Sequence, residues 1–276
     1  MSGPRRRRRW LRWPTRASRR RWLRRARRAP LATRVLFGVL LTAATALAIN
    51  AIYQIARKPT ELFFPVSGVL IKTPQETWRE YGGAFRRFAT PAIAPELLAA
   101  LAQVEGSGNP LVRTYWHWSW GMKPFELYRP ASSAVGMYQI TDGTFAEARH
   151  YCIRHHMLAQ EGAWDDWQSC WFNSLYLRVV PRDAIELTAA YLDLKVNAIL
   201  THDLYHSASA LQSQHLAAVV HLCGAGAAAS YAQRGFRFTE GQRCGAHDPR
   251  EYLQRVDAMR AVFTRLAQVD TQTSVR

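Results

Sequence analysis

The sequence predicts a mostly α protein in which a single N-terminal transmembrane helix precedes a helical domain. Three observations carry that prediction. Val35 to Ala56 is a run of 22 residues without a charge, and about 20 apolar residues span a bilayer. From Ala92 onward, apolar residues recur mostly at the spacing of helices and not at the alternation of strands. The charge is also divided along the chain. Residues 1–60 hold 17 Lys/Arg and no Asp or Glu, whereas the rest carries 20 Lys/Arg against 20 Asp/Glu. The formal charge of +17 therefore belongs to the N-terminus, and the 276 residues leave ample length for a full-sized core.

Taken in order, residues 1–34 carry fifteen Arg. Such a run cannot bury a core, and it reads as a disordered basic tail. Its charge far exceeds that of Arg57-Lys58 beyond the apolar run, so the positive-inside rule places the tail in the cytoplasm. The arginines would attract anionic membrane lipids. A nucleic-acid partner is not expected, because the remainder is neutral and nothing else on the cytoplasmic side would read bases. Residues 35–56 form the transmembrane helix. Ser18-Arg-Arg-Arg-Trp-Leu-Arg24 resembles a twin-arginine export signal, and Ala46-Leu-Ala48 offers a cleavage site. Anchor and cleaved signal alike put the neutral part outside the cytoplasm. Residues 57–91, with Pro59, Pro65, Pro74, Gly82-Gly83 and Pro91, form a connector that either follows the membrane or packs on the domain. Within it, Trp78 to Phe88 suits a short amphipathic helix. Residues 92–268 form the helical domain, with helices near 95–105, 144–156, 182–201, 207–222 and 249–268. The tail 269–276 is polar.

The first domain helix carries the most informative side chain. Pro95 opens it, since its fixed φ suits a first turn. Leu97, Leu98, Leu101 and Val104 form an apolar face, and Glu105 lies on the same face, four residues after Leu101. Gly106, Gly108 and Asn109-Pro110 end the helix. A carboxyl carried to the end of a buried helix is partly desolvated, which favours its protonated form. That form is the one a general acid needs for glycosidic cleavage. A capping or ion-paired glutamate is the structural alternative. Downstream lies Tyr115-Trp-His-Trp-Ser-Trp120, followed by a Gly/Pro-rich loop. Aromatic faces beside hydroxyls suit a sugar-binding groove, although a tryptophan cluster also packs cores.

Five segments together resemble the lytic transglycosylases with a soluble-type catalytic domain, relatives of goose-type lysozyme. Glu105-Gly-Ser-Gly-Asn-Pro110 is similar to their Glu-Ser-x-x-Asn-Pro motif. Ser133-Ala-Val-Gly-Met-Tyr-Gln-Ile140, with Thr144, is similar to their Gly-Ala-x-Gly-Leu-Met-Gln-Leu segment and its threonine. Ile185 to Leu192 resembles the helix ending in Tyr-Leu. Val220-His-Leu-Cys-Gly-Ala-Gly226 falls where the family has Ala-Tyr-Asn-Ala-Gly-Pro-Gly, and Glu251-Tyr-Leu-Gln-Arg-Val256 resembles its closing Tyr-Val-x-x-Val helix. The resemblance spans residues 92–262 and implies a lysozyme-like helical domain. It implies cleavage of the MurNAc–GlcNAc β-1,4 bond of peptidoglycan glycan strands by one acid, with the C6 hydroxyl of MurNAc as nucleophile and a 1,6-anhydro product. By the match, Glu105 is the catalytic acid/base. Gln139, Tyr138, Met137, Ser133 and His221 line the groove, and Tyr252 reaches toward Glu105. No cofactor or metal is implied. The chain would sit in a bacterial inner membrane with its catalytic domain in the periplasm.

Some positions depart from the family pattern. Gly106 stands where the family has Ser, Asp142 where it has Pro, and His221-Leu222 where it has Tyr-Asn. These departures keep two alternatives open: a non-catalytic peptidoglycan-binding scaffold, and a muramidase of the same fold that hydrolyses. The stretches 111–130 and 152–170, the latter with Trp164 and Trp167, exceed the common core and suit a lid. Four cysteines allow three pairings. Cys152–Cys170 and Cys223–Cys244 are the expected disulfides, since each closes a short loop. Cys223 beside His221 as a thiol nucleophile, and His202 with His206 as a zinc pair, are weaker readings.

Overall fold

The computed structural model describes residues 30–274, apart from 64–66, 113, 120–124, 167–168 and 203–207. The expected disorder of the basic tail falls outside the described residues as far as residue 29, as do Trp120, Trp167 and His206. The architecture is mostly helical, with seven α-helices and two small antiparallel hairpins among the described residues.

Helix α1 spans Leu31–Arg57 and is long and apolar enough to cross a membrane. Its side chains are exposed along most of its length, but Asn50 and Gln54 are buried. These two lie one turn apart and so share a face. Two short 3-10 turns, Pro59–Phe63 and Gly68–Leu70, lead into α2, Pro74–Phe88. Thr73 and Glu76 start α2 with a reciprocal capping box, which satisfies two N-terminal donors. Trp78, Tyr81, Phe85 and Phe88 recur at helical spacing and are buried. Trp78 also donates to Asp270 from Nε1 at 2.8 Å. The connector from Pro74 onward therefore packs on the domain and supplies a core helix.

Helix α3, Pro95–Gly106, is buried on more than the one face that its leucines predict. Ala99, Ala100 and Ala102 are as inaccessible as Leu97, Leu98 and Leu101. A helix that is apolar all round is an interior helix, and α3 has α2, α5 (Pro181–His202) and α7 (Pro249–Ser274) against it. The helix stops because Ser107 and then Gly108 take left-handed backbone, with φ of 50° and 63°. At Gly108 the absence of a side chain matters, since a Cβ there would fall 2.2 Å from Thr77 Oγ1.

The hairpins correct the near-continuous helical reading. Strands β1 (Trp116–Trp118) and β2 (Tyr128–Pro130) pair beside the end of α1. Helix α4 covers only Asp142–Ala148, not the expected stretch to residue 156. Beyond it, β3 (Tyr151–Arg154) turns back on β4 (Met157–Gln160). His155 and His156 make that turn with positive φ at both positions, a tight hairpin without glycine. Helix α5 matches its expected bounds within one residue.

Helix α6, Ala210–Gln233, also has the length and apolarity of a membrane span, but much of it lies in the core beside α5 and α7. Gly224, at φ 79° and ψ 167°, breaks it near the middle. Its first segment thus ends near the expected residue 222, and a second helical segment continues to Gln233. Disulfides join Cys152 to Cys170 and Cys223 to Cys244. Cys223 is thus unavailable as a nucleophile.

Candidate active site

Glu105 sits in the last turn of α3, partly exposed, where the helix emerges from the core. Two side chains from distant parts of the chain reach its Oε1. Tyr252, in the first turn of α7, donates from Oη at 2.6 Å. His221, near the break in α6, places Nε2 at 3.7 Å. Burial, then the charge of Glu105 and its hydrogen bond, hold the Tyr252 phenol well above its ordinary pKa, so it remains a donor. Burial lowers the pKa of His221, against the opposing pull of Glu105 and of a hydrogen bond to the Tyr138 backbone. At neutral pH the imidazole thus adds no full positive charge beside the acid.

Two depressions flank this cluster. One, of about 230 Å³, is lined by Gln139, Thr141, Thr144, Thr188, Tyr191 and His221 among others. The other, of about 220 Å³, is lined by Glu105 with Ser67, Ser107, Asn109 and Val112 among others. Gln139 joins the two walls, since its Nε2 donates to the carbonyls of Val112 at 3.3 Å and Gly136 at 2.9 Å. Its own φ of 48° is part of the tight loop that Val135 and Ile140 close by mutual backbone hydrogen bonds. Thr188 Oγ1 is buried and has no partner among the described residues. Among the described residues lining the two depressions, Glu105 is the only carboxylate.

The structure brings together Glu105, Tyr252, His221 and Gln139, and it separates others. The side chains of Met137 and Tyr138 do not line a groove. Both are fully buried, and Tyr138 Oη donates to the Leu98 carbonyl at 3.0 Å, tying its loop to the body of α3. What Met137 offers α3 is its backbone, which lies so close to Gly106 that a Cβ there would sit 2.8 Å from its Cα and carbonyl oxygen. Ser133 is also displaced from the acid. Its Oγ accepts from the Asp142 backbone N–H at the start of α4, and it lines a third depression, with Lys58 and Arg178.

The aromatic run is not at the acid either. Trp116 donates to Glu61, Trp118 stacks on Tyr128, and neither lines the two depressions. In the proposed lid, Trp164 is exposed. Thr188 and Ser67 are polar lining residues that sequence reasoning did not single out, whereas Tyr191 belongs to the Tyr-Leu ending of the third segment. Thr188 lies three residues before Tyr191 on α5, and that helical spacing is the signal that would have found it.

A carboxyl with one oxygen fixed by a phenol, set between two depressions with no second carboxylate, can give a proton and take one back at the same oxygen. Compared with known proteins, the chain matches no protein-family model, and no curated protein is significantly similar to it.

Proposed function

We propose that this chain is a membrane-anchored lytic transglycosylase with a lysozyme-like domain that cleaves the MurNAc–GlcNAc bonds of peptidoglycan. The observation that carries the reading is the Tyr252–Glu105 contact between the two depressions. It joins the first and last of five ordered motifs, 147 residues apart, at the position of a single acid.

In this mechanism the Tyr252 hydroxyl occupies Oε1, so the transferable proton sits on Oε2 of Glu105. Glu105 gives that proton to the glycosidic oxygen as the C1–O4 bond breaks. The C6 hydroxyl of the same MurNAc attacks C1 and returns its proton to Glu105. Atoms balance without water, and the acid is regenerated. An intramolecular nucleophile needs no second carboxylate, whereas a glycosidase that uses water carries two acids at set separations. Gln139, Thr141, Thr144 and Thr188 would meet sugar hydroxyls in the larger depression. Helix α1 would hold the domain at the inner membrane, on its periplasmic face.

A second reading is a hydrolysing muramidase, favoured by His221, a neutral imidazole 3.7 Å from the acid that could orient a water. Digestion of purified peptidoglycan with the full chain in detergent separates the two. The proposal expects 1,6-anhydro-muropeptides by mass spectrometry. Reducing-end products would make it a hydrolase, and saccharide binding without products would make it a scaffold.

A further inference from the structure

We propose that strands β1 and β2, with Phe125–Leu127 and the turn Pro59–Phe63, rest in the membrane interface at the C-terminal end of α1. The bilayer would then seat the domain directly. This rests on the reading of α1 as a membrane anchor and adds to it a second contact with lipid.

The argument begins with two polar side chains inside the apolar helix. Asn50 and Gln54 are buried against the hairpin region, not turned outward. Asn50 Nδ2 donates to the Tyr128 carbonyl at 2.6 Å, and Gln54 Nε2 donates to the Phe125 carbonyl at 2.8 Å. Amides in a lipid-facing helix need partners, because hydrocarbon supplies none. These contacts also fix depth. The uncharged run 35–56 covers about 33 Å at 1.5 Å per residue, close to the thickness of the hydrocarbon core. Asn50 lies seven residues before Arg57, about 10 Å below the charged end of the helix. On that registration the Phe125 carbonyl, bonded to Gln54, lies near the boundary between chains and headgroups, and the Tyr128 carbonyl about 6 Å deeper, where Asn50 satisfies it.

The outward side chains suit that level. Trp118 is 55% exposed and Phe125 47% exposed. Tyr53 of α1 lies against Phe125, ring centroids 5.4 Å apart. Leu62 and Phe63 in the following turn are exposed as well. Aromatic rings at the ends of membrane helices favour the interface, and such a patch facing water would be costly. Behind the apolar rim, a depression of about 280 Å³ is lined by Arg57, Lys58, Arg129 and Arg178, which are ion-paired with Glu126, Glu61 and Asp142. Arg57, the most exposed of these cations, ends the helix at headgroup level. The segment continues to Ile71, which lines the depression at Glu105. A seated hairpin would thus fix the height of the acid above the bilayer.

The test is photo-crosslinking of the full chain in nanodiscs of phosphatidylethanolamine and phosphatidylglycerol. Benzoylphenylalanine replaces Trp118, Phe125, Leu40 in α1, or Trp164 on the domain, one at a time. The expected result is lipid adducts at positions 118, 125 and 40 and none at 164. Adducts at 40 with none at 118 or 125 would overturn the seat while leaving the anchor intact. No adduct at 40 would overturn the anchor, and the seat with it. Protein adducts in place of lipid at 118 and 125 would make the hairpin a protein-docking surface and overturn the proposal. Circular dichroism of each variant identifies any that misfolds, and the remaining hairpin position then decides.

Discussion

Gly106 stands directly after the proposed acid, at a position where the resembling family has serine, and the packing around it predicts what restoring a side chain would do. The ideal Cβ falls 2.8 Å from both Cα and the carbonyl oxygen of Met137, where ordinary contact begins at 3.4 Å. The Met137 backbone would have to retreat by at least about 0.6 Å in an interior that is close-packed. Its loop has little freedom, since Arg178 Nη1 bonds the carbonyls of Ser133 and Ile140, and Tyr138 Oη holds Leu98. Overpacking of this kind costs about 1–3 kcal/mol. A better helix propensity returns at most about 1 kcal/mol for alanine and less for serine. Gly106→Ala should therefore lose up to about 2 kcal/mol, and Gly106→Ser at least as much. In a domain of this size a loss of about 2 kcal/mol lowers Tm by about 4–8 °C. Because the shift passes through Met137 toward Gln139, muropeptide release should fall as well. Thermal unfolding of the detergent-solubilised chain, run beside a digestion assay, reads both quantities. A serine variant with unchanged or higher Tm and increased release would refute the argument. It would show that the position has room and that the missing hydroxyl is what limits the site.

The remaining predictions concern the acid, its neighbours and the disulfides. Glu105→Gln should abolish muropeptide release while leaving Tm near that of the parent, and full activity would remove Glu105 as the acid. Tyr252→Phe deletes a hydrogen bond to the carboxylate that develops as Glu105 gives up its proton, worth about 1.5–3 kcal/mol, so kcat should fall by about 10- to 100-fold with little change in KM. Burial lowers the pKa of His221, so the unfolded chain binds the proton more readily. The stability linked to this group is present above the ordinary histidine pKa of about 6.5 and is lost as pH falls through the lower folded value. His221→Gln should flatten that acid-side loss, measured by unfolding at about pH 7.5 and about pH 5; an unchanged slope would contradict it. Replacing Cys152 and Cys170 together by alanine, which opens a loop of sequence separation 18, should cost about 3 kcal/mol, read as a lower Tm than the oxidised parent.

What the sequence makes legible follows the physics of each feature. An uncharged run needs only composition to be recognised, so α1 emerges close to its true length. Helix α5 carries its apolar residues at regular spacing, and its expected bounds hold within a residue. The hairpins are not legible, for identifiable reasons. The β3–β4 turn is made by His155 and His156 at positive φ, residues that announce no turn, and β1 is three residues long. The pairing of Glu105 with Tyr252 is legible through motif order. The aromatic run lies away from its expected place because aromatic density says that a surface will be covered, not what will cover it. Here Phe125 and Trp116 are used at the end of α1, against Tyr53 and Glu61. Met137 and Tyr138 face away from the groove because the loop meets α3 with its interior side, leaving Gln139 and Ile140 as the members of that run which line the larger depression.

The departure at Leu222 has a different meaning in three dimensions from the one it has in sequence. On the proposed reading, leucine in place of asparagine leaves position 222 without a polar group for the sugar. Leu222 does line the larger depression, packed against the core. The wall supplied by α5 carries the opposite feature. Thr188 Oγ1 is buried, lines the same depression and has no partner among the described residues. A buried hydroxyl left unpaired is unfavourable in an empty protein and becomes favourable once a ligand oxygen or a water completes it. A hydrogen-bonding group that position 222 lacks is therefore present on α5, in a depression that His221 and Gln139 also border. On that reading the depression keeps hydrogen-bonding capacity at Thr188, His221 and Gln139. A leucine at this position alone thus does not argue against turnover.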